Sequence, residues 1–257
     1  MTTGPTGWAR RAAGLATVGA LAYAAPVATG LGPVRAALRP QLAGLGDPKH
    51  VALTFDDGPD PGSTPLFLEA LEEAGVRATF FLLGRMVRQA PSLAREIAEA
   101  GHEVALHGWG HRAHIALTPG QTLRDLRQGR DEVADAIGRA PDWYRPPYGV
   151  ATAATFSACR KLGLRPVLWS AWGRDWTATA TAESVFRTVA RDLRGGGTVL
   201  LHDSDCTSKP EAWRSTLGAL PLLLEHCAEQ GWRVGPLREH GLEQSPESPE
   251  SPATHAG

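Results

Sequence analysis

The stretch VALTFDDGPD, residues 51–60, decides how the chain is read. Val51 to Phe55 form a short apolar run that suits a buried strand, and turn residues bound it. The run ends in two adjacent carboxylates, Asp56 and Asp57, followed by Gly58 and Pro59. Asp and Gly supply the hydrogen bonds and φ values of a tight turn, so in isolation these residues need no other explanation. What they do beyond turning the chain depends on what the rest of the sequence brings beside them.

Moving outward, β-rich runs alternate with amphipathic helical runs between His50 and about residue 235. Candidate strands are HVALTF, RATFFLL, HEVALH, DWYR, LRPVLWS, GTVLLHD and WRVG, about seven in all. Helices are predicted near residues 64–74, 91–100, 119–137, 152–162, 182–194 and 211–230. Thr64-Pro65 and Thr118-Pro119 read as an N-cap followed by proline, and Gly75, Gly101, Gly163 and Gly231 stand where helices should stop. Strict alternation implies parallel strands, hence a barrel or a doubly wound sheet in a single α/β domain. In either case the carboxyl ends of the strands make one face, where sites are built. Asp56 and Asp57, His107 and His111, Arg145, Asp175 and Trp176, and His202 with Asp203 each follow a predicted strand, so they should converge there.

Composition narrows the function. The 257 residues carry 26 basic and 27 acidic side chains, which gives no electrostatic case for nucleic-acid binding. Cys159, Cys206 and Cys227 lack C-x-x-C spacing, so they predict neither a disulfide framework nor a thiolate zinc site, although one bridge is left open. Arg10 and Arg11 precede an uncharged, alanine-rich run, residues 12–34, with the layout of an export signal that is also long enough to stay as a membrane anchor. The C-terminal EQSPESPESPATHAG predicts a disordered tail. The expected layout is residues 1–35 as signal or anchor, 36–47 as linker, 48–240 as catalytic domain and 241–257 as tail.

The chemistry begins with HGWGH, residues 107–111. Gly108 and Gly110 disfavour a helix, so His107 and His111 form a loop pair, and a carboxylate from the first strand end completes a two-His, one-Asp divalent metal site with open positions. One aspartate of the Asp-Asp pair then binds metal while its neighbour acts as general base, kept ionised by Arg145 of RPPYG. His202 ends the apolar run TVLLHD; oriented by Asp175 it becomes a general acid. Leu200, two residues earlier on the same strand, shares its face, and with Trp176 it could line a small apolar pocket.

TFDDG, HGWGH, RPPYG, GRDW and LLHD, in this order, resemble the five motifs of the polysaccharide deacetylase family, also known as the NodB-homology domain or carbohydrate esterase family 4, over roughly residues 48–236. The resemblance implies a distorted (β/α) barrel, a divalent metal that is usually zinc, with cobalt, manganese or nickel as alternatives, and hydrolysis of N-acetyl groups on amino sugars or O-acetyl groups on xylan. Carried over by motif, Asp56 is the base; Asp57, His107 and His111 bind metal; Arg145 holds the base; Asp175 tunes the acid His202. The Tyr148 backbone N–H joins the oxyanion hole, and Trp176 and Leu200 enclose the acetyl methyl. Two positions depart from the family pattern: Gly108 where Ser or Thr is common, so that a loop-bracing hydroxyl is lost, and Trp172 where many members are acidic.

The expected partner is an acetylated glycan such as peptidoglycan or a chitin-like polymer, with no nucleic acid, membrane contact only through the N-terminal segment, an extracytoplasmic location, and a monomeric state. Competing readings are a non-catalytic metal or glycan-binding module, against which stand intact candidates for base and acid, and a two-His, one-carboxylate iron(II) oxygenase, which usually sits on a jelly roll. A deacetylase or deformylase of a small amino-sugar conjugate, or an acetylxylan esterase, stays within the same chemistry.

Overall fold

Strand-helix alternation leaves each strand to pair with a parallel neighbour, because a crossover helix returns the chain to the same edge. In the computed structural model, which describes residues 26, 27 and 32–242, helix α1 (Gly32–Leu38) is followed by β1 (His50–Asp56), α2 (Thr64–Glu73), β2 (Thr79–Leu82), α3 (Gly84–Gln89), α4 (Pro91–Glu99), β3 (Glu103–Leu106), α5 (Pro119–Ile137) and β4 (Trp143–Tyr144). Then come α6 (Ala153–Leu162), β5 (Arg165–Pro166), β6 (Ala171–Trp172), α7 (Ala182–Asp192), β7 (Thr198–His202), α8 (Trp213–Glu229) and β8 (Arg233–Gly235). The sheet order is β5-β4-β3-β2-β1-β7-β6, with β8 added beside β1, and every pairing is parallel.

This is a distorted, open (β/α) barrel. β5 and β6, the two ends of the strand order, are not partners of one another among the described residues. Residues 42–46 lie across the opening instead: Leu168 N–H donates to Leu42 O at 2.8 Å, Thr198 Oγ1 to Gly44 O at 2.7 Å and Gly46 N–H to Gly196 O at 2.9 Å. Within residues 36–47, expected to be a linker, residues 36–38 end α1 and residues 42–46 are hydrogen-bonded to the domain, with Leu42 and Ala43 buried. The expected export segment and C-terminal tail lie almost wholly outside the described residues. Among the described residues no helix is long and apolar enough to cross a membrane.

β1 is the centre of the core, and all seven of its residues are buried. Phe55 stacks on Phe80 with ring centroids 5.1 Å apart and meets Phe67 edge-on at 5.2 Å. Each such fully buried ring contributes about 1.5–3 kcal/mol of transfer free energy, which makes the strand carrying Asp56 a rigid base for chemistry.

Helix punctuation follows the local chemistry. Thr118 caps α5 in a reciprocal box with Gln121, as its side chain allows. Thr64 does not cap α2: the cap position is Ser63, whose hydroxyl donates instead to Asp203 O at 2.6 Å, and Pro65 falls one place further inside. Gly75, Gly101, Gly163 and Gly231 all adopt positive φ at the helix ends. The single strand predicted over 164–170 is reduced to β5 at Arg165–Pro166, a second short strand, β6, follows only at Ala171–Trp172, and α3 is an additional helix. All three cysteines are free.

Candidate active site

β1 and β7 lie side by side with Asp56 opposite His202 in the register, so two predicted site residues meet directly at the carboxyl edge. Asp57 follows with φ 81, a left-handed conformation, and both carboxylates approach His107 Nε2, Asp56 Oδ2 at 3.7 Å and Asp57 Oδ1 at 3.6 Å. β3 delivers His107, and the loop beyond it returns His111. The ligand-capable atoms of Asp57, His107 and His111 all fall within 4.8 Å of one another.

These three side chains fit a divalent cation. Asp57 Oδ1 is buried without a hydrogen-bond donor, and the Nε2 atoms of His107 and His111 stand 3.6 and 3.7 Å from it. A desolvated carboxylate oxygen facing two imidazole nitrogens is costly unless a cation lies between them. His107 Nδ1 lies 2.8 Å from Arg145 O, which can only accept, so Nδ1 carries the proton and Nε2 presents its lone pair. Burial pushes the His107 imidazole down to about 3, keeping it neutral and able to ligate, and burial lowers His111 as well. The second oxygen of Asp57 accepts from Thr207 Oγ1, and its carbonyl accepts from Cys206 Sγ at 3.4 Å.

Asp56 and Arg145 form a buried ion pair at 2.7 Å. Burial raises the Asp56 carboxyl, while the guanidinium pulls it back toward the charged form. Arg145 is itself held by Thr54 Oγ1 at 2.8 Å and Leu168 O at 3.0 Å, and it lies 4.0 Å over the Phe81 ring. Only Asp56 Oδ1 is engaged by Arg145; Oδ2 faces the site, 3.7 Å from His107 Nε2.

On the other side, Asp175 Oδ1 meets His202 Nδ1 at 2.9 Å, and its Oδ2 accepts from the His202 N–H at 2.7 Å and Thr216 Oγ1 at 2.6 Å. Burial alone would lower the His202 imidazole, but the carboxylates of Asp175, first, and of Asp57 and Asp56 together outweigh it and raise the ring to about 10. Nε2 is left as the nitrogen available to a substrate. Trp176 meets the His202 ring edge-on at 6.0 Å, and Leu200, buried on the same strand, pairs in register with Trp172. Tyr148 turns at φ 60 with its ring edge-on to His111 at 4.4 Å and 64% exposed.

All ten predicted site residues thus gather at the carboxyl end of the barrel. Asp203, grouped with His202 by position, instead turns toward α2, where its carboxylate accepts from Thr64 Oγ1 and burial raises it to about 7. Sequence reasoning did not find Thr207, Thr216 or Thr54, which hold Asp57, Asp175 and Arg145, and no local pattern marks them. A row of adjacent rings, Trp169 stacked on Trp172 with centroids 5.5 Å apart and Trp176 tilted against Trp172 at 5.0 Å, was visible only as separate tryptophans.

Residues 44–167 match the model of a family described as Polysaccharide deacetylase. A peptidoglycan-N-acetylglucosamine deacetylase of Bacillus cereus is 33% identical over 194 residues, covering 74% of this chain and 87% of that protein. A chitooligosaccharide deacetylase of Bradyrhizobium is 32% identical over 212 residues, covering 78% and 94%. Among solved structures, a carbohydrate esterase family 4 pseudoenzyme from Bacillus anthracis superposes with a TM-score of 0.68 at 26% identity, covering 76% of this chain and 66% of that one. The fold, the ordered motifs and these relatives agree: the chain belongs to the polysaccharide deacetylase family, carbohydrate esterase family 4.

Proposed function

We propose that the chain is a metal-dependent hydrolase that removes acetyl groups from an N-acetylated amino-sugar polymer, peptidoglycan or a chitin-like glycan. The observation that carries this reading is the placement of Asp56–Arg145 and His202–Asp175, a paired base and a paired acid, beside one ligand trio. A pseudoenzyme shares the fold, so the fold alone does not argue for catalysis; the complete acid-base complement does. The B. cereus and Bradyrhizobium relatives, named for peptidoglycan and chitooligosaccharide deacetylation, favour an amino-sugar amide over a xylan ester.

Asp57, His107 and His111 would hold the ion, with zinc the best match to two imidazoles and one carboxylate. When bound, it would supply Lewis-acid activation of a water and of the acetyl carbonyl. Asp56 Oδ2 takes a proton from the attacking water as the water oxygen bonds to the acetyl carbon. Arg145 keeps that carboxylate charged and fixed. The Tyr148 backbone N–H donates to the oxyanion that forms. His202 Nε2 gives its proton to the amide nitrogen as the C–N bond breaks, releasing acetate and a free amine, and proton exchange with water then restores Asp56 and His202. Leu200 and Trp176 line the space for the methyl group.

In this reading the domain of residues 48–240 acts outside the cytoplasmic membrane, as a monomer, delivered there or tethered by residues 1–35. Acetate release measured with zinc-loaded protein on N-acetylglucosamine oligomers, peptidoglycan and acetylxylan tests the activity. Release from neither amino-sugar substrate, or from acetylxylan alone, overturns the proposal. Fractionation with protease accessibility on intact cells tests the location, which a protease-protected soluble protein with its N-terminus intact would refute.

A further inference from the structure

The loop carrying His111 is gripped from two sides. On one, the first N–H groups of α3 bind its carbonyls: Gly84 N–H donates to Gly108 O at 2.9 Å and Arg85 N–H to Trp109 O at 3.0 Å. On the other, the Asp125 side chain of α5 takes an N–H group, with Oδ2 accepting from Trp109 N–H at 3.1 Å. The Trp109 ring is held as well, 4.4 Å under the Arg88 guanidinium, which α5 anchors through Glu132 at 2.6 Å.

Asp125 is only 6% exposed, and no lysine or arginine forms an ion pair with it among the described residues. A helix position facing the interior is normally apolar, and a buried carboxylate is expensive unless hydrogen-bonded. The hydrogen bond that compensates it runs to Trp109 N–H, in the loop between the two predicted imidazole ligands.

Glycines complete the fit. Gly108 sits at φ 97, and a Cβ there would lie 2.9 Å from Asp125 Oδ2. Gly129, one turn beyond Asp125 on α5, touches the same peptide: a Cβ on it would lie 2.8 Å from Gly108 C and O. The helix can approach the loop this closely only because neither position has a side chain. Position 108 thus presents a bare backbone braced from α5.

We infer that Asp125 and Gly129 are positioning residues for the metal site, fixing His111 against His107 and thereby setting the cation affinity of the Asp57–His107–His111 trio. The inference rests on reading the trio as a metal site. Partners one shell outside a metal typically change its affinity by about 10- to 100-fold when removed.

The test is zinc affinity of the metal-free full chain, measured by competition with a chromophoric chelator, with near-UV circular dichroism confirming a native fold. Asp125→Ala and Gly129→Ala should each weaken zinc binding by about 10- to 100-fold, whereas Asp125→Asn, whose amide oxygen still accepts, should stay within about 5-fold of wild type. In a His111→Ala background, Asp125→Ala should add less than about 2-fold, because the residue it positions is gone. Folded Asp125→Ala and Gly129→Ala proteins that bind zinc as tightly as wild type would overturn the inference, as would an Asp125→Ala effect that persists in full without His111. A wild-type chain that binds no zinc would instead remove the metal reading on which the inference stands.

Discussion

Replacing Asp175 by Asn asks whether His202 is a general acid, because the substitution keeps the shape and removes the charge that holds the ring protonated. The carboxylate accepts three hydrogen bonds, from His202 Nδ1 and from the His202 N–H and Thr216 Oγ1. An amide accepts through its oxygen alone. If that oxygen keeps the N–H and hydroxyl, the amide nitrogen faces Nδ1 and opposes a proton there; if it turns to Nδ1, two buried donors lose their acceptor. Either arrangement withdraws the largest part of the pull that raises His202 from 6.5 to about 10, leaving Asp57 and Asp56 to act against its burial.

The sign follows from the role. A general acid works only while protonated, so the alkaline limb of kcat should move down. With burial set against the remaining Asp57 and Asp56 charges, a ring brought back to about 6.5 is protonated in only about 3% of molecules at about pH 8, a loss of roughly 30-fold relative to the variant's own rate at about pH 5.5. A ring that titrates near 10 loses almost nothing over the same interval. A bound cation would repel the imidazolium in both proteins, so the measured quantity is the displacement between the two limbs. The assay is acetate release from an N-acetylglucosamine oligomer by zinc-loaded enzyme across that pH range. An Asp175→Asn enzyme whose alkaline limb coincides with wild type refutes the assignment of His202 as the acid tuned by Asp175.

Alanine at Asp57, His107 or His111 should lower zinc affinity and activity together, and purified variants that all retain stoichiometric zinc would refute the site. Asp56→Asn and His202→Ala should instead keep zinc near wild type while kcat falls by about 10²- to 10⁴-fold, so a variant retaining both metal and full rate would refute the role. Trp172→Ala should raise KM for a chitin tetramer by about 3- to 10-fold with kcat little changed; an equal rise for the monosaccharide would show that the ring serves packing alone. At the other end of the barrel, His240 Nε2 lies 3.1 and 3.0 Å from Gly44 O and Gly196 O, so its Nδ1 accepts from His50 at 2.8 Å and both rings are neutral. Burial and then His240 lower His50 from 6.5 to about 4, so the neutral pair stabilises fully above 6.5 and the contribution is lost as pH falls toward 4. Urea denaturation should therefore show His50→Asn gaining up to about 3 kcal/mol relative to wild type between those limits, and a constant difference would refute the reading.

The site was legible in the sequence to the extent that its chemistry needs unusual residues at strand ends. Asp56, His107, Arg145, Asp175 and His202 each close or follow an apolar run, where a packing explanation would predict something cheaper to bury. Their convergence required only parallel strands, and alternation of strand and helix supplied that. The supporting residues left no such trace. Thr207 is one threonine in a polar loop, and Thr216 lies inside α8; each acts on a residue more than 40 positions away. Nothing in periodicity or composition distinguishes them from solvent-facing threonines.

The same limit explains the misread strand. LRPVLWS has the composition of one continuous strand, and composition reports only what would suit a sheet. Continuity depends on a neighbour for each backbone group, and here the neighbour changes along the run: Val167 N–H still goes to Tyr144 O, Leu168 N–H to Leu42 O, and Ser170 N–H to Thr198 O. The break has a chemical consequence, because Leu168 O is then free of a strand partner and accepts from Arg145 Nη2 at 3.0 Å. The departure from regular strand pairing that the sequence hides thus supplies one of the bonds fixing Arg145, and through it Asp56. In this barrel the opening between β5 and β6 belongs to the active-site framework, with residues 42–46 bonded across it and a buried guanidinium drawing on the carbonyl it exposes.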